Sequence, residues 1–396
     1  MSSRTLVIFA IMLSFIGQGS ITILVPALPE IASTMDVSNP KAAQLVSTYL
    51  LGIAITSLFI GALSDRFGRK KIIIIGAFLY TVSATLPLFA NTLYEFTYLQ
   101  FFQALGGGAL LIMSHTIAVD SFQGKEREKA LAIIYPMISI SPPVAIFIGG
   151  AINHVWQWKS IYIFSSLYTL VILLVGIFLF KETLKKTKQK PINTKQLLKN
   201  YIKISTHRVF ISYTALNCLA AAMIYSFFVD TPFILRNLGM SSIETGYMIA
   251  ITGLGIMVGN TSCHKLLNTL SPKLLIVISL IVMSFGSILQ YYTTFNGAQG
   301  PMEVIIPFTI MSAGIGLMLP ILVSRVSRAF EEVEGAALGL YNFFRAVTCA
   351  ATTKYVGKFT SQDPNKMTIY IMGFVIISII VFTIICLTNK HNKTSL

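Results

Sequence analysis

Long apolar stretches alternate with short polar connections along nearly the whole chain. An α-helix needs about 20 apolar residues to cross the roughly 30 Å hydrocarbon core of a bilayer, and twelve stretches approach that length. Because lipid offers no partner to an open backbone, each stretch is predicted to be helical. The predicted spans are residues 6–29, 43–63, 72–90, 96–118, 130–152, 159–180, 208–231, 243–262, 273–295, 303–324, 336–357 and 367–388. The pattern predicts an all-α polytopic membrane protein with twelve transmembrane helices.

The composition agrees with a membrane location and assigns a topology. Hydrophobic residues make up 54% of the chain and charged residues 11%, whereas soluble domains carry about 25% charged residues. The net charge of +15 comes from lysines and arginines that cluster in alternate connections, as cytoplasmic loops do. This placement puts both termini in the cytoplasm. It also favours solvated basic loops over nucleic-acid binding.

The chain divides at its midpoint into two sets of six spans. The longest connection, 181–207, is rich in lysine and separates the sets, and Gly61 and Gly259 each end the second span of their half. The predicted organisation is an N-terminal six-helix bundle over 1–180, a cytoplasmic basic linker over 181–207 and a C-terminal six-helix bundle over 208–396.

The connection after the second span carries the most specific motif. It reads Gly-Ala-Leu-Ser-Asp-Arg-Phe-Gly-Arg-Lys from Gly61 to Lys70. Glycines allow a tight turn between packed helices, and Asp65 can either cap a helix or pair with an arginine. The motif resembles the loop signature of the major facilitator superfamily. That resemblance implies a transporter whose two halves enclose a central site at mid-membrane. It also implies a conformational latch formed by Gly61, Asp65, Arg66, Gly68 and Arg69.

Further motifs look like the Bcr/CflA branch of drug:proton antiporters from the bacterial inner membrane. They are Val25-Pro26-Ala27-Leu28-Pro29, Gln103-Ala104-Leu105-Gly106, Ser141-Pro142-Pro143 through Gly149-Gly150, and Trp156-Gln157-Trp158-Lys159. The resemblance implies proton-coupled drug efflux by alternating access. In exporters the fifth-span segment is associated with sealing the two halves, which makes Pro142, Pro143, Gly149 and Gly150 hinge candidates. Ordinary helix packing by proline and glycine is the alternative.

Two positions depart from that branch. Thr22 stands where the branch has an acidic residue, and Gln100 stands where it has an arginine. Both charges are absent together, which avoids leaving one buried charge unpaired. No carboxylate falls near the centre of a predicted span, so the candidates for proton coupling are Asp230, Glu30 and His115. The alternative for Asp230 is a helix-end acid solvated by outside water.

Arg345 falls ten residues into the eleventh predicted span. An arginine near the bilayer centre costs roughly 2.5–3.5 kcal/mol on insertion scales and marks a pathway or a partner. We interpret it as an anchor for a substrate anion, with pairing to Asp230 or to backbone carbonyls as alternatives. The other predicted cavity-lining residues are Gln18, Thr22, Gln100, Tyr49, His115, Asn217, Tyr225, Asn342 and Phe343. Gln18 and Thr22 are expected to share a helix face one turn apart.

Two functions remain open at this point. The first is broad drug efflux, which the resemblance favours. The second is export of a defined anionic metabolite such as a polycarboxylate siderophore, which Arg345 and Thr22 favour. Catalytic motifs, nucleotide loops and metal-binding cysteine spacings are missing from the sequence, so no enzyme activity, cofactor or metal is expected. The expected partners are a small-molecule substrate and the lipid bilayer, without nucleic acid, and the protein is expected to be a monomer.

Overall fold

The computed structural model describes residues 3–184, 194–295, 297–360 and 363–391, and these ranges are helical without a β-strand. The all-α prediction is therefore confirmed. The helices are α1 Ser3–Gly19, α2 Leu28–Thr34, α3 Asn39–Phe67, α4 Arg69–Thr85, α5 Leu93–Ser121, α6 Gly124–Trp156, α7 Lys159–Phe178, α8 Thr194–Ser205, α9 Arg208–Asn237, α10 Ser242–Leu266, α11 Pro272–Thr294, α12 Met302–Ala329, α13 Glu334–Thr360 and α14 Pro364–His391.

Nine helical segments in the described ranges are long and apolar enough to cross a membrane. They are Asn39–Phe67, Arg69–Phe89, Leu93–Ser121, Lys159–Phe178, Arg208–Asn237, Ser242–Leu266, Pro272–Thr294, Met302–Ala329 and Pro364–Leu387. Ser3–Gly19 and Ile140–Trp156 are apolar but shorter. The predicted eleventh span, 336–357, lies within α13. The chain is thus a multi-pass membrane protein.

The first predicted span is wrong as a continuous helix. α1 ends at Gly19, a run of turns follows, and a 3-10 turn at Val25–Ala27 leads into the short helix α2. Pro26 and Pro29 cannot donate backbone hydrogen bonds, so they weaken the helix at the point where it breaks. The face shared by Gln18 and Thr22 is therefore not continued by a regular helix.

Two other boundaries differ from the sequence prediction. The linker 181–207 contains the helix α8 rather than only a loop. The seventh span does not end near Pro232, because α9 continues through this proline to Asn237. One internal proline removes a single hydrogen-bond donor, and the buried residues from Ala220 to Leu235 hold the helix together by packing.

The chain forms two compact units. The first comprises Met1–Lys195 with Met240–Ala250, and the second comprises Gln196–Gly239 with Ile251–Leu396. The predicted bundle boundaries at 180 and 208 stay a prediction.

Small residues bring the helices of the first unit together. A Cβ at Gly106 on α5 would lie 2.6 Å from the carbonyl oxygen of Gly76 on α4. Because even one methyl group has no space, α4 and α5 approach at backbone distance, as is common in membrane helix pairs.

The second unit combines the same close approach with aromatic packing. A Cβ at Gly286 on α11 would lie 2.8 Å from the carbonyl oxygen of Pro307 on α12. Phe227 on α9 stacks on Phe308 of α12 with ring centroids 3.6 Å apart. These contacts hold α9, α11 and α12 together within the second unit.

Candidate functional site

The loop signature forms a sharp turn between α3 and α4. α3 ends at Phe67 and α4 begins at Arg69, and Gly68 between them has a φ of 92°. Side chains other than glycine rarely adopt this conformation. Gly61 makes no turn, since it lies inside α3, and a Cβ there would have no neighbour within 4 Å. The turn therefore depends on Gly68 alone.

Arg69 joins three segments of the first unit. Its Nη1 lies 2.6 Å from Oδ1 of Asp65, and its Nε donates to Oδ2 of Asp120 at 2.8 Å. Asp65 is on α3 and Asp120 is near the end of α5, and the guanidinium also donates to the Ser64 hydroxyl. The side chain of Arg69 is only 7% exposed, against 17% for Asp120 and 49% for Asp65. Asp65 thus pairs with an arginine, which was one of its two predicted roles.

Helix capping, the other role predicted for Asp65, is performed by Glu182 at the start of α4. Its Oε1 accepts from the backbone N–H of Arg69 at 2.9 Å, and its Oε2 accepts from that of Lys70 at 3.1 Å. The same carboxylate accepts from the backbone N–H of Leu184 at 2.9 Å. A negative charge at a helix N-terminus is favourable because the first N–H groups have no partner inside the helix. Glu182 therefore ties the segment after α7 to the start of α4.

Lysine and arginine side chains complete the loop. Lys70 Nζ donates to the carbonyl oxygen of Ile177 on α7 at 2.9 Å. The guanidinium of Arg66 is exposed and lies 5.1 Å from the ring centroid of Phe67.

The proline-glycine segment of α6 packs against the break after α1. A Cβ at Gly149 would collide with the carbonyl group of Ile23. The Thr22 hydroxyl donates to the carbonyl oxygens of Gly19 at 2.9 Å and of Pro142 at 3.4 Å. The Thr22 hydroxyl therefore links the break after α1 to α6.

Gly150 makes a second close approach on the same helix. A Cβ at Gly150 would lie 2.6 Å from the carbonyl oxygen of Ser242 and 3.0 Å from the Cα of Gly246. These α10 residues belong to the same compact unit. Of the hinge candidates, Gly149 and Gly150 are thus at backbone contacts, while Pro142 and Pro143 are half-buried.

A neutral hydrogen-bonded network occupies the interior of the first unit. Tyr80 donates to the Ser20 hydroxyl at 2.7 Å and also bonds Gln103. Tyr162 donates to Oε1 of Gln100 at 3.1 Å. Gln100 thus has an uncharged partner in place of the missing charged pair. Sequence reasoning missed Tyr80 and Tyr162, because aromatic residues in apolar spans carry no distinguishing signal.

The remaining candidates of the first unit are spread over several elements. Tyr49 is buried, and a Cβ at Gly107 would meet its hydroxyl. Gln18 and His115 are half-buried on α1 and α5, and Glu30 is half-buried in the first turn of α2.

Arg345 lies among phenols and thiols in the second unit. Its electrostatic neighbours are Cys349, Tyr225, Tyr341 and Cys218. No ion pair of Arg345 is found within the part of the chain that the structure describes, so the predicted alternative of pairing with Asp230 has no support there. Phenols and thiols are neutral near pH 7, and the guanidinium charge is therefore not neutralised by these neighbours.

Other polar groups of the second unit are buried. Asn217 precedes Cys218 on α9, and its side-chain nitrogen has no hydrogen-bond partner among the described residues. The Tyr341 hydroxyl is also buried and has no hydrogen-bond partner among the described residues. Asp230 is 3% exposed within α9, so the alternative of a solvated helix-end acid is wrong: the helix extends beyond it. Asn342 is exposed and Phe343 is half-buried.

Multiple membrane-spanning helices and an arginine clamped at a glycine turn agree with a membrane transport protein. The Major Facilitator Superfamily model matches residues 7–353. The chain therefore belongs to the Major Facilitator Superfamily.

Its relatives include proteins named for drug resistance. Multidrug resistance protein MdtL of Vibrio parahaemolyticus is 24% identical over 396 residues, which cover 98% of this chain and 96% of that protein. The protein of the same name from a Shewanella species is 25% identical, with coverage of 82% and 81%. The one from Escherichia coli is 25% identical, with coverage of 83% and 82%.

Proposed function

We propose that this chain is a secondary exporter of small organic molecules, of the drug-efflux type, in the bacterial inner membrane with both termini in the cytoplasm. The similarity to MdtL proteins supports the substrate class and the direction. Alternating access by the two six-span halves, 1–180 and 208–396, is the mechanism that superfamily membership supports. The linker 181–207 connects the halves while they move.

The observation that carries the proposal is the clamp around Arg69. The guanidinium joins Asp65 on α3 to Asp120 on α5, and Glu182 holds the start of α4. Asp65 is half exposed, so its bonds can be exchanged during a conformational cycle. We infer that this cluster, with Gly68 at its turn, is a latch that closes the cytoplasmic side in the outward-facing state.

The test uses a bacterial host that lacks its main efflux pumps. Expression of the chain is expected to raise the inhibitory concentration of lipophilic drugs, and Asp65→Ala is expected to remove this tolerance at normal membrane abundance. Lys71→Gln, an exposed neighbour of the motif, is the matched control. Full tolerance from Asp65→Ala at normal abundance would refute the latch. An inactive wild type at normal abundance would contradict drug export.

We further propose that export is coupled to protons, with Asp230 ahead of Glu30 and His115 as the carrier. Burial of Asp230 within α9 supports this order, because Glu30 and His115 are only half-buried and an ionisable residue inside a membrane-spanning helix is a functional candidate. Asp230→Asn is expected to abolish transport driven by an imposed pH gradient and to retain substrate counterflow, which needs no net proton movement. Wild-type proton-driven transport by Asp230→Asn would exclude Asp230 as the carrier.

A second candidate is a dedicated exporter of an anionic metabolite such as a polycarboxylate siderophore. The neutral surroundings of Arg345 favour it, since a guanidinium binds carboxylates in a bidentate fork. Spent medium from a deletion strain and its complemented parent, grown with and without iron, is compared by mass spectrometry. Loss of one anion from the deletion medium with accumulation in the cells supports this candidate. Matching media contradict it under those growth conditions.

A further inference from the structure

Helix α8 carries its basic and apolar side chains in separate rows. Lys195, Lys199 and Lys203 are exposed and follow one another at a spacing of four, so they share one side of the helix. Leu198 and Ile202 form the next row and are each 59% exposed. Such large exposed side chains beside a row of lysines indicate a contact with something both apolar and anionic.

The opposite side of α8 faces the protein. Ile204 is only 1% exposed, and burial raises the pKa of the Tyr201 phenol above its usual value. Immediately after the helix, the ring of His207 packs edge-on against Phe330 at 5.0 Å between centroids. One side of α8 is therefore buried against the protein, whereas Leu198 and Ile202 are exposed.

α8 directly precedes a membrane-spanning helix, so it lies near the surface of the bilayer. Only Thr206 and His207 separate it from α9, a membrane-spanning helix that begins at Arg208. The helix accordingly lies where a span meets the headgroup region. An amphipathic helix at that height buries its apolar row in the headgroup and acyl boundary, and its lysines reach anionic headgroups.

We propose that α8 lies on the membrane surface and binds anionic phospholipid headgroups through Lys195, Lys199 and Lys203, with Leu198 and Ile202 entering the acyl boundary. A lipid surface explains both rows at once, since polybasic segments next to a span attract anionic lipid. An acidic protein partner would account for the lysines and leave the apolar row unexplained.

The experiment compares hydrogen–deuterium exchange of the full chain in nanodiscs of phosphatidylcholine alone and with phosphatidylglycerol added. Backbone amides of residues 195–205 are expected to exchange at least about fivefold more slowly with phosphatidylglycerol. The difference should shrink when salt is raised from about 0.1 M to about 1 M, which shortens the Debye length from about 10 Å to about 3 Å. Peptides covering residues 36–42 report any general effect of the lipid.

Two variants identify the groups responsible. Lys195→Gln/Lys199→Gln/Lys203→Gln is expected to abolish the phosphatidylglycerol effect, and Lys265→Gln/Lys273→Gln, which removes two exposed lysines elsewhere, is expected to preserve it. Leu198→Ser/Ile202→Ser should speed exchange in both lipids. Equal exchange of the wild type in the two lipids would overturn the proposal, and so would a full lipid effect in the triple variant. Neither readout depends on what the transporter carries.

Discussion

Arg69 and Arg345, one in each compact unit, are surrounded by different chemistry. Arg69 lies at a loop and contacts two carboxylates at 2.6 and 2.8 Å. Arg345 lies within α13, and its electrostatic neighbours are two tyrosines and two cysteines. The charge of Arg69 is thus balanced by the protein itself, whatever the substrate. The charge of Arg345 is not balanced by those neighbours, which makes it suitable for a bound anion.

Arg69→Gln removes the arginine whose charge is balanced by carboxylates of the protein. It should have the largest effect on transport. A charge-assisted hydrogen bond contributes about 1.5–3 kcal/mol. Because about 1.4 kcal/mol corresponds to a factor of ten, we expect the transport rate to fall at least about tenfold. The measurement is the initial rate in proteoliposomes per amount of inserted protein, with Lys71→Gln as control.

The double variant Arg69→Gln/Asp120→Asn sharpens that result. Removing Arg69 alone leaves the Asp120 carboxylate, which is only 17% exposed, without its charged partner, whereas the double variant leaves only the Asp65 carboxylate, which is 49% exposed. We therefore expect the double variant to regain part of the thermal stability lost by Arg69→Gln. A wild-type transport rate from Arg69→Gln would contradict the role of the clamp.

Arg345→Gln removes the arginine whose charge is not balanced by its neighbours. It should lower transport of anionic substrates selectively. Loss of the guanidinium is expected to lower transport of a polycarboxylate about 10- to 150-fold, the equivalent of about 1.5–3 kcal/mol. Transport of a neutral or cationic drug should change by less than about twofold, since no charged bond is lost. Rates are measured side by side for the two substrate types.

Stability distinguishes a substrate anchor from a structural arginine. Arg345 is half-buried and has no ion partner among the described residues, so its removal is expected to leave the thermal midpoint unchanged or higher. Arg345→Lys keeps the charge and lacks the fork, so it should transport the anion at an intermediate rate. Equal loss for both substrate types, together with a lower midpoint, would indicate a structural role instead.

Glu182→Gln should have a smaller effect than either arginine variant. A charge at a helix N-terminus contributes about 0.3–1 kcal/mol. Converted into a ratio of rates, this free energy predicts a roughly two- to fivefold decrease in transport. Glu95→Gln is the matched control, because Glu95 caps the start of α5 by accepting from the backbone of Asn91 and Thr92. If both variants lower transport alike, the effect is general helix capping and not the latch.

Tyr162→Phe should have the smallest effect. It removes one hydrogen bond to Gln100, worth about 0.5–1.5 kcal/mol of stability, without changing any charge. We expect a lower thermal midpoint and transport within about twofold of wild type. Tyr94→Phe, at an exposed position, should leave the midpoint unchanged. A complete loss of transport by Tyr162→Phe would show that the neutral network of the first unit does more than support the fold.

The sequence predicted what depends on local pattern. Apolar length indicated the membrane helices, and the loop signature indicated the turn at Gly68 and the pairing of Asp65. Glu182 escaped prediction because its contact with Arg69 spans more than a hundred residues, and one sequence holds no record of such pairs. The break after Gly19 was missed although Pro26 and Pro29 were visible, since continuous apolarity was given more weight than proline. α8 was missed because its lysine content suggested a linker, although lysines at a spacing of four indicate a helix.

The most direct test of secondary export uses purified protein in proteoliposomes with an imposed pH gradient and a fluorescent lipophilic cation. The wild type is expected to move the dye against its gradient without ATP, and Arg69→Gln is expected to move little. Lys71→Gln should match the wild type. Dye movement that is absent in the wild type, or equal in wild type and Arg69→Gln, would contradict the proposed latch-controlled exporter.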